Sequence, residues 1–222
     1  MHTPSKLLFL PGASGNTGFW KPLASQLTVP ADKVMVGYPG FGDEPVASDV
    51  NGLDDLVRQV VSQIDQPTAL IAQSMGGIIA VRAALERPDL VTHLVLTVTS
   101  GGMDVAALGA RDWRAEYVEA NPSLPRWFVS FKSDLTHELG KIMQPVLLLW
   151  GDADPISPVA IGQRLLELLP DACMHVVPGG NHDLAYVHAM ELAPIVDAYL
   201  SGRSTVPRQF PRSKRAASIW RS

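Results

Sequence analysis

The chain has 222 residues, of which 46% are hydrophobic and 18% charged, and its formal net charge is −4. A chain of this length can bury one sizeable core, so a single globular domain is expected. The only cysteine, Cys173, excludes an internal disulfide, and no stretch reaches the roughly 18 apolar residues of a membrane helix. The apolar run near the start is too short for a secretory signal, so we expect a cytoplasmic protein.

Six short apolar runs predict β-strands. Each is almost continuously apolar, which is typical of strands covered on both faces of a parallel sheet, and the segments between them carry apolar residues at helical spacing. In chain order the predicted strands cover residues 6–10, 34–37, 68–72, 91–97, 145–150 and 173–177, and the predicted helices cover 20–27, 53–64, 75–85, 159–169 and 184–200. This alternation predicts an α/β fold, a three-layer sandwich with a mostly parallel sheet of about six strands and helices on both faces.

Two segments break the alternation. Residues 100–141 are too long for an ordinary connection and carry several aromatic residues, so we interpret them as a short cap inserted over the strand ends of a domain covering residues 1–200. Residues 201–222 contain six basic residues and no acidic residue. We expect this basic tail to be disordered or loosely docked and expect no nucleic-acid partner, with contact to nucleic acid or to an anionic membrane as the alternative.

The sequence AQSMGG, residues 72–77, lies where a predicted strand meets a predicted helix. A nucleophilic serine at a tight strand-to-helix turn adopts strained backbone angles, and large side chains beside it would collide with the adjoining strand or helix. Ala72 and Gly76 are both small, and the start of the helix directs free N–H groups towards Ser74. Ser74 is therefore the candidate nucleophile, and a serine that only caps an ordinary helix is the alternative.

This motif resembles the nucleophile motif GxSxG of the α/β-hydrolases, with alanine in place of the first glycine. The resemblance covers about residues 5–200 and implies the α/β-hydrolase fold without its first two strands. It also implies that an acid and a histidine base follow Ser74 in the chain.

The candidate acid and base come from two later loops. WGDADP, residues 150–155, resembles the family's G-x-x-D pattern, which implies Asp154 as the acid, whereas Asp152 is interpreted as a turn residue. GGNHD, residues 179–183, resembles the family's histidine loop, which implies His182 as the base. His188 is the one serious alternative for that role.

The remaining candidate residues belong to an anion pocket and a substrate pocket. PGASGN, residues 11–16, resembles the family's HGxxG-type loop, which implies an oxyanion hole built from the backbone N–H groups of Ala13 and Met75. A small cap with an aromatic lining implies that acyl groups of small to medium size are bound by burial. The candidate pocket residues are Phe19, Trp20, Trp113, Trp127 and Phe128.

Taken together, the resemblance implies a serine hydrolase of the carboxylesterase type that needs neither a metal nor a cofactor. It is expected to act on a small-molecule ester or thioester as a monomer or homodimer, with no membrane span. Hydrolysis of a thioester or of a C–C bond would use the same triad and stays open. A ligand-sensing module that keeps the triad but turns over little is the alternative from another functional class.

Overall fold

A predominantly parallel sheet forms the centre of the protein. The computed structural model describes residues 3–111, 113–204 and 206–209. The strands are β1 (Lys6–Leu10), β2 (Asp32–Met35), β3 (Thr68–Gln73), β4 (Val91–Thr97), β5 (Val146–Gly151), β6 (Ala172–Val177) and β7 (Arg208–Gln209). Their spatial order is β2-β1-β3-β4-β5-β6-β7. The first six strands pair in parallel and confirm the predicted sheet, and β7 adds a short antiparallel edge.

Helices cover both faces of this sheet, as predicted. They are α1 (Lys21–Gln26), α2 (Leu53–Ser62), α3 (Met75–Glu86), α4 (Arg114–Ala120), α5 (Arg126–Ser130), α6 (Val159–Leu168), α7 (Leu184–Val187) and α8 (Ala189–Leu200). Helix α1 packs against α8, and α2 packs against α3. Right-handed crossovers place these two pairs on opposite faces. Within the described ranges, every helix is too short or too polar to span a bilayer.

Burial explains which strands the apolar pattern located well. Strands β3 and β5 are buried along their whole length. Strand β2 lies at the edge of the sheet, and its first two residues, Asp32 and Lys33, are exposed. The apolar pattern placed this strand at residues 34–37, because polar residues on an edge strand carry no hydrophobic signal.

The segment predicted as a cap, residues 100–141, alternates short helical elements with irregular chain. It contains α4, α5 and two 3-10 turns, Ala106–Leu108 and Leu139–Lys141. The Phe128 ring packs edge-on against Phe41, which follows β2, with 5.6 Å between the ring centroids. This contact ties the segment to the body of the domain.

The predicted basic tail falls largely outside the described residues, which omit 205 and 210–222. The part that is described contains β7, whose residues pair with Ala172 and Cys173 at the start of β6. Strand β7 therefore lies at the amino ends of the parallel strands, at the other end of the sheet from their carboxyl ends.

A buried carboxylate joins the last helix to the beginning of the fold. Asp197 of α8 is 8% exposed. It accepts hydrogen bonds from the backbone N–H and the hydroxyl of Thr28 and from the backbone N–H of Val29. These residues lie between α1 and β2, so one side chain stabilises a connection 169 residues away in sequence.

We expect Asp197→Ala to lower the free energy of unfolding by about 3 kcal/mol, because it leaves several buried donors without an acceptor. Urea denaturation measures this change. Asp49→Ala is the matched control, since Asp49 is exposed, and it should change stability by less than about 0.5 kcal/mol. Equal stabilities of the two variants would contradict the anchoring role.

Candidate active site

Strand order places two loops beside a single crevice. Strand β1 pairs with β2 on one side and with β3 on the other, so the direction of winding reverses at β1. Ligands of open α/β sheets bind outside the carboxyl ends of the strands at such a reversal. The loop of residues 11–16 follows β1, and Ser74 follows β3 directly.

Ser74 occupies the strained turn between β3 and α3. Its backbone angles, φ 52° and ψ −119°, lie outside the regions that non-glycine residues favour. The turn brings the first residues of α3 against the end of β1. A Cβ atom at Gly76 would lie 2.5 Å from the Pro11 carbonyl oxygen and 2.7 Å from that of Leu10. Only glycine fits there, which explains why this helix begins with a poor helix former.

Three side chains predicted from separate loops meet at this turn. His182 Nε2 lies 3.2 Å from Ser74 Oγ, and His182 Nδ1 lies 2.7 Å from Asp154 Oδ2. An ionised carboxylate only accepts hydrogen bonds, so the imidazole proton belongs on Nδ1 and Nε2 is free to accept the serine proton. The arrangement can therefore activate a hydroxyl nucleophile.

The Asp154 side chain is held in one orientation by the backbone. It is fully buried, and its second oxygen, Oδ1, accepts the N–H groups of Ile156 at 2.8 Å and Ser157 at 3.1 Å. One carboxylate oxygen is thus occupied by the loop and the other faces His182. The imidazole is 22% exposed, so it lies at the boundary between the core and the crevice.

The two other candidates for these roles lie elsewhere. Asp152 accepts a hydrogen bond from the backbone N–H of Gly179 at 2.6 Å, which joins the loop of residues 150–155 to the loop of residues 179–183. His188 Nδ1 lies 3.4 Å from Glu191 Oε2 in the same helical segment. The geometry brings neither side chain to Ser74.

The predicted anion pocket lies next to the nucleophile. Ala13 lines the same cavity as Ser74, and the turn that holds it is closed by a hydrogen bond from Gly15 N to the Gly12 carbonyl oxygen. Met75 is the first residue of α3, so its N–H has no partner inside the helix. Both N–H groups remain our candidates for oxyanion donors.

Gln73 is a site residue that the sequence reasoning missed. Its side-chain Nε2 donates to the backbone carbonyl oxygen of His182 at 3.3 Å. Asn181 Oδ1 accepts the backbone N–H of the same histidine at 2.7 Å. The signal in the sequence was that Gln73 is polar and ends an apolar strand. That signal does not reveal its hydrogen bond to His182, which lies 109 residues away.

Two cavities meet at Ser74. The first has a volume of about 440 Å³ and an aromatic wall formed by Phe19, Trp113 and Tyr117. The second, of about 750 Å³, is lined mostly by residues of the predicted cap segment, 100–141, including the charged Arg111 and Lys132. Burial raises the pKa of the Tyr117 phenol, so its hydroxyl stays protonated well into the alkaline range.

The structure divides the five predicted pocket aromatics into two groups. Phe19 and Trp113 line the first cavity. Trp20 is 1% exposed, and its Nε1 donates to the Leu10 carbonyl oxygen, so it belongs to the core rather than to the pocket. Trp127 and Phe128 pack against Phe41, and neither is among the residues that line the two cavities.

Within the part of the chain that the structure describes, no group of three or more His, Cys, Asp and Glu side chains is close enough to hold a metal ion.

Comparisons with known proteins agree with this architecture. A model of the alpha/beta hydrolase family matches residues 7–135. A pimeloyl-[acyl-carrier protein] methyl ester esterase of Neisseria meningitidis is 29% identical over 165 residues, which cover 73% of this chain and 59% of the esterase. The chain thus spans less than two thirds of that relative.

A 2-hydroxy-6-oxononadienedioate/2-hydroxy-6-oxononatrienedioate hydrolase of Cupriavidus pinatubonensis is 24% identical, with 86% of this chain and 83% of the relative covered. Among solved structures, an esterase from Exiguobacterium antarcticum aligns with a TM-score of 0.75 at 14% identity, over 90% of this chain and 93% of the esterase. At that identity the likeness shows the fold alone.

Proposed function

Because the chain belongs to the alpha/beta hydrolase family, we propose that it is a serine hydrolase that cleaves carboxylic esters through an acyl-enzyme on Ser74. The observation that supports this most strongly is the continuous path of short contacts from Asp154 through His182 to Ser74. The similar esterase of Neisseria meningitidis supports an ester as the substrate.

In the proposed reaction, Ser74 Oγ attacks the ester carbonyl carbon while His182 Nε2 takes the hydroxyl proton. The negative charge moves to the carbonyl oxygen, where the N–H groups of Ala13 and Met75 would stabilise it. The intermediate collapses as the ester C–O bond breaks, and His182 gives the proton to the departing alcohol. Water then attacks the acyl carbon while the same imidazole takes its proton. The bond between the acyl carbon and Ser74 Oγ breaks as His182 returns the proton to Oγ, which releases the acid and restores the serine. Asp154 holds the ring and stabilises its charged form throughout.

The sizes and linings of the two cavities support a substrate with two unlike halves. The smaller cavity is walled by aromatic rings and suits a short to medium apolar group. The larger one carries charged and hydroxyl groups, including Ser100, Arg111 and Lys132, and suits a bulkier polar group. Because both cavities open on Ser74, the scissile bond of such a substrate would lie between them.

A screen of p-nitrophenyl esters with increasing acyl length, run beside the matching thioesters, tests this proposal. We expect kcat/KM to be highest for an acyl chain of about four to eight carbons and to fall for longer chains, because a cavity of 440 Å³ limits chain length. Uniformly slow turnover across all oxygen esters would contradict an esterase, and faster thioester cleavage would move the substrate class to thioesters.

Hydrolysis of a C–C bond is the second candidate. The relative from Cupriavidus pinatubonensis is named for an oxo-dienedioate, a substrate without an ester group. Incubation with a vinylogous diketo acid of that class distinguishes C–C hydrolysis from ester hydrolysis. A C–C hydrolase would convert this acid and leave p-nitrophenyl esters almost untouched.

A further inference from the structure

Two donors hold the backbone carbonyl oxygen of Ser74. Thr99 Oγ1 donates to it at 2.6 Å and the Gly77 N–H donates at 3.0 Å. This carbonyl belongs to the same peptide unit as the N–H of Met75. A trans peptide unit is planar, with its C=O and N–H pointing in opposite directions, so holding the oxygen also sets the direction of the Met75 N–H.

Thr99 is itself tightly fixed. It is 1% exposed, and its hydroxyl oxygen accepts the Gly101 N–H at 3.1 Å while donating to Ser74. A Cβ atom at Gly77 would lie 2.5 Å from Thr99 Cγ2 and 2.6 Å from its Cβ. Gly77 therefore allows the helix to approach Thr99 closely, and Gly76 in the same way allows it to approach the end of β1.

The chain reaches Thr99 through a strained residue. Val98 has φ 43°, an unfavourable value for a β-branched side chain, and it directly follows β4. Its N–H donates to the Leu149 carbonyl oxygen of β5 at 3.1 Å. Among the described residues, Val98 and Ser74 are the two non-glycine residues with positive φ, and Thr99 connects them. Such strain persists where surrounding contacts enforce it and is concentrated at functional sites.

We infer that Thr99 is a positioning residue whose hydroxyl aims the Met75 N–H at the oxyanion. The inference rests on the proposed function, because it needs a tetrahedral intermediate on Ser74. Thr99 lines neither cavity, so it acts through the Ser74–Met75 peptide unit and not through the substrate. Its removal should therefore weaken binding of the transition state more than binding of the substrate.

Thr99→Val tests this directly, because valine has nearly the same shape and lacks the donor. We expect kcat to fall about 10- to 100-fold with KM changed by less than about twofold, a smaller loss than removal of a whole oxyanion donor. The affinity for a trifluoromethyl ketone inhibitor, which forms a tetrahedral oxyanion on the serine, should fall by a similar factor. Thr99→Ser keeps the hydroxyl and should recover most of the activity.

Thr97→Val is the matched control. Thr97 is also fully buried at the end of β4, and its hydroxyl has no hydrogen-bond partner within the described residues. This variant should keep wild-type kcat and inhibitor affinity. If Thr99→Val does not fold, the smaller Thr99→Ala variant removes the same donor without adding bulk near Gly77, and the same loss is expected.

Three outcomes would overturn the inference while leaving the esterase proposal intact. They are a wild-type kcat in the folded Thr99 variants, an equal loss in Thr97→Val, or a change confined to KM. A wild-type protein that hydrolyses none of the esters and binds no ketone would instead overturn the proposed function, and this inference with it.

Discussion

Ser74→Ala is expected to lower kcat for ester hydrolysis by roughly 10⁴- to 10⁶-fold, since removal of the nucleophile of a serine hydrolase leaves only the anion pocket and substrate binding. In the wild-type structure His182 Nε2 lies 3.2 Å from the Ser74 Oγ. In the variant that oxygen is gone, so the imidazole has no nucleophile to activate. Folding should be unaffected, because among the described residues His182 is the one hydrogen-bond partner of the Ser74 Oγ, so the change removes no other contact of the fold.

Ser62→Ala serves as the control for this variant, because Ser62 is exposed on α2 and its hydroxyl donates to the Gln59 carbonyl oxygen of its own helix. Steady-state kinetics should show wild-type kcat for Ser62→Ala. A Ser74→Ala protein that retains a tenth or more of the wild-type rate would be incompatible with attack by Ser74.

Asp154→Asn is expected to reduce kcat by about 10⁴-fold without unfolding the protein, because a serine hydrolase with this change keeps its geometry and loses the correct histidine tautomer. The amide oxygen can still accept the N–H groups of Ile156 and Ser157. The amide NH₂ group then faces His182 Nδ1 and donates to it. The imidazole proton moves to Nε2, which can no longer accept the proton of Ser74.

Asp152→Asn separates this effect from a general loss of charge in the same loop. Its amide oxygen can continue to accept the Gly179 N–H, so kcat should stay within about threefold of wild type. Both proteins are compared by kcat and by thermal melting. Equal losses in the two variants would mean that the loop, and not the contact between Asp154 and His182, carries the effect.

The sequence predicted those parts of the fold that hydrophobic burial specifies. Strand β4 was predicted with its observed limits, Val91–Thr97, because it is apolar and central. Strand β7 could not be predicted, since Arg208 and Gln209 pair with β6 through backbone groups that any residue offers. The helix predicted over residues 184–200 is divided at His188, and the apolar spacing continues across that division.

In the candidate site, too, the sequence predicted some residues and left others undecided. The resemblance to the family's motifs predicted Ser74, Asp154 and His182 as the triad, and the fold brings these three side chains within hydrogen-bonding distance. Pocket residues are harder to assign from the sequence, because the sequence does not show which way an aromatic side chain points. Trp20 precedes α1 and points its Nε1 to the Leu10 carbonyl oxygen, whereas its neighbour Phe19 faces the cavity.

Hydrogen bonds from side chains to distant backbone carbonyl groups could not be predicted from the sequence. The tie from Gln73 to the His182 carbonyl oxygen and the tie from Thr99 to that of Ser74 join residues that are distant or unremarkable in the chain. Only the folded register of β3, β4 and the histidine loop brings them together.

Labelling with a fluorophosphonate, followed by mass spectrometry of the proteolytic peptides, shows whether Ser74 is the nucleophile. We expect one covalent adduct per chain on the peptide that contains Ser74, formed rapidly in the wild type and absent from Ser74→Ala. Labelling of both proteins to the same extent, or an adduct on a different serine, would contradict it.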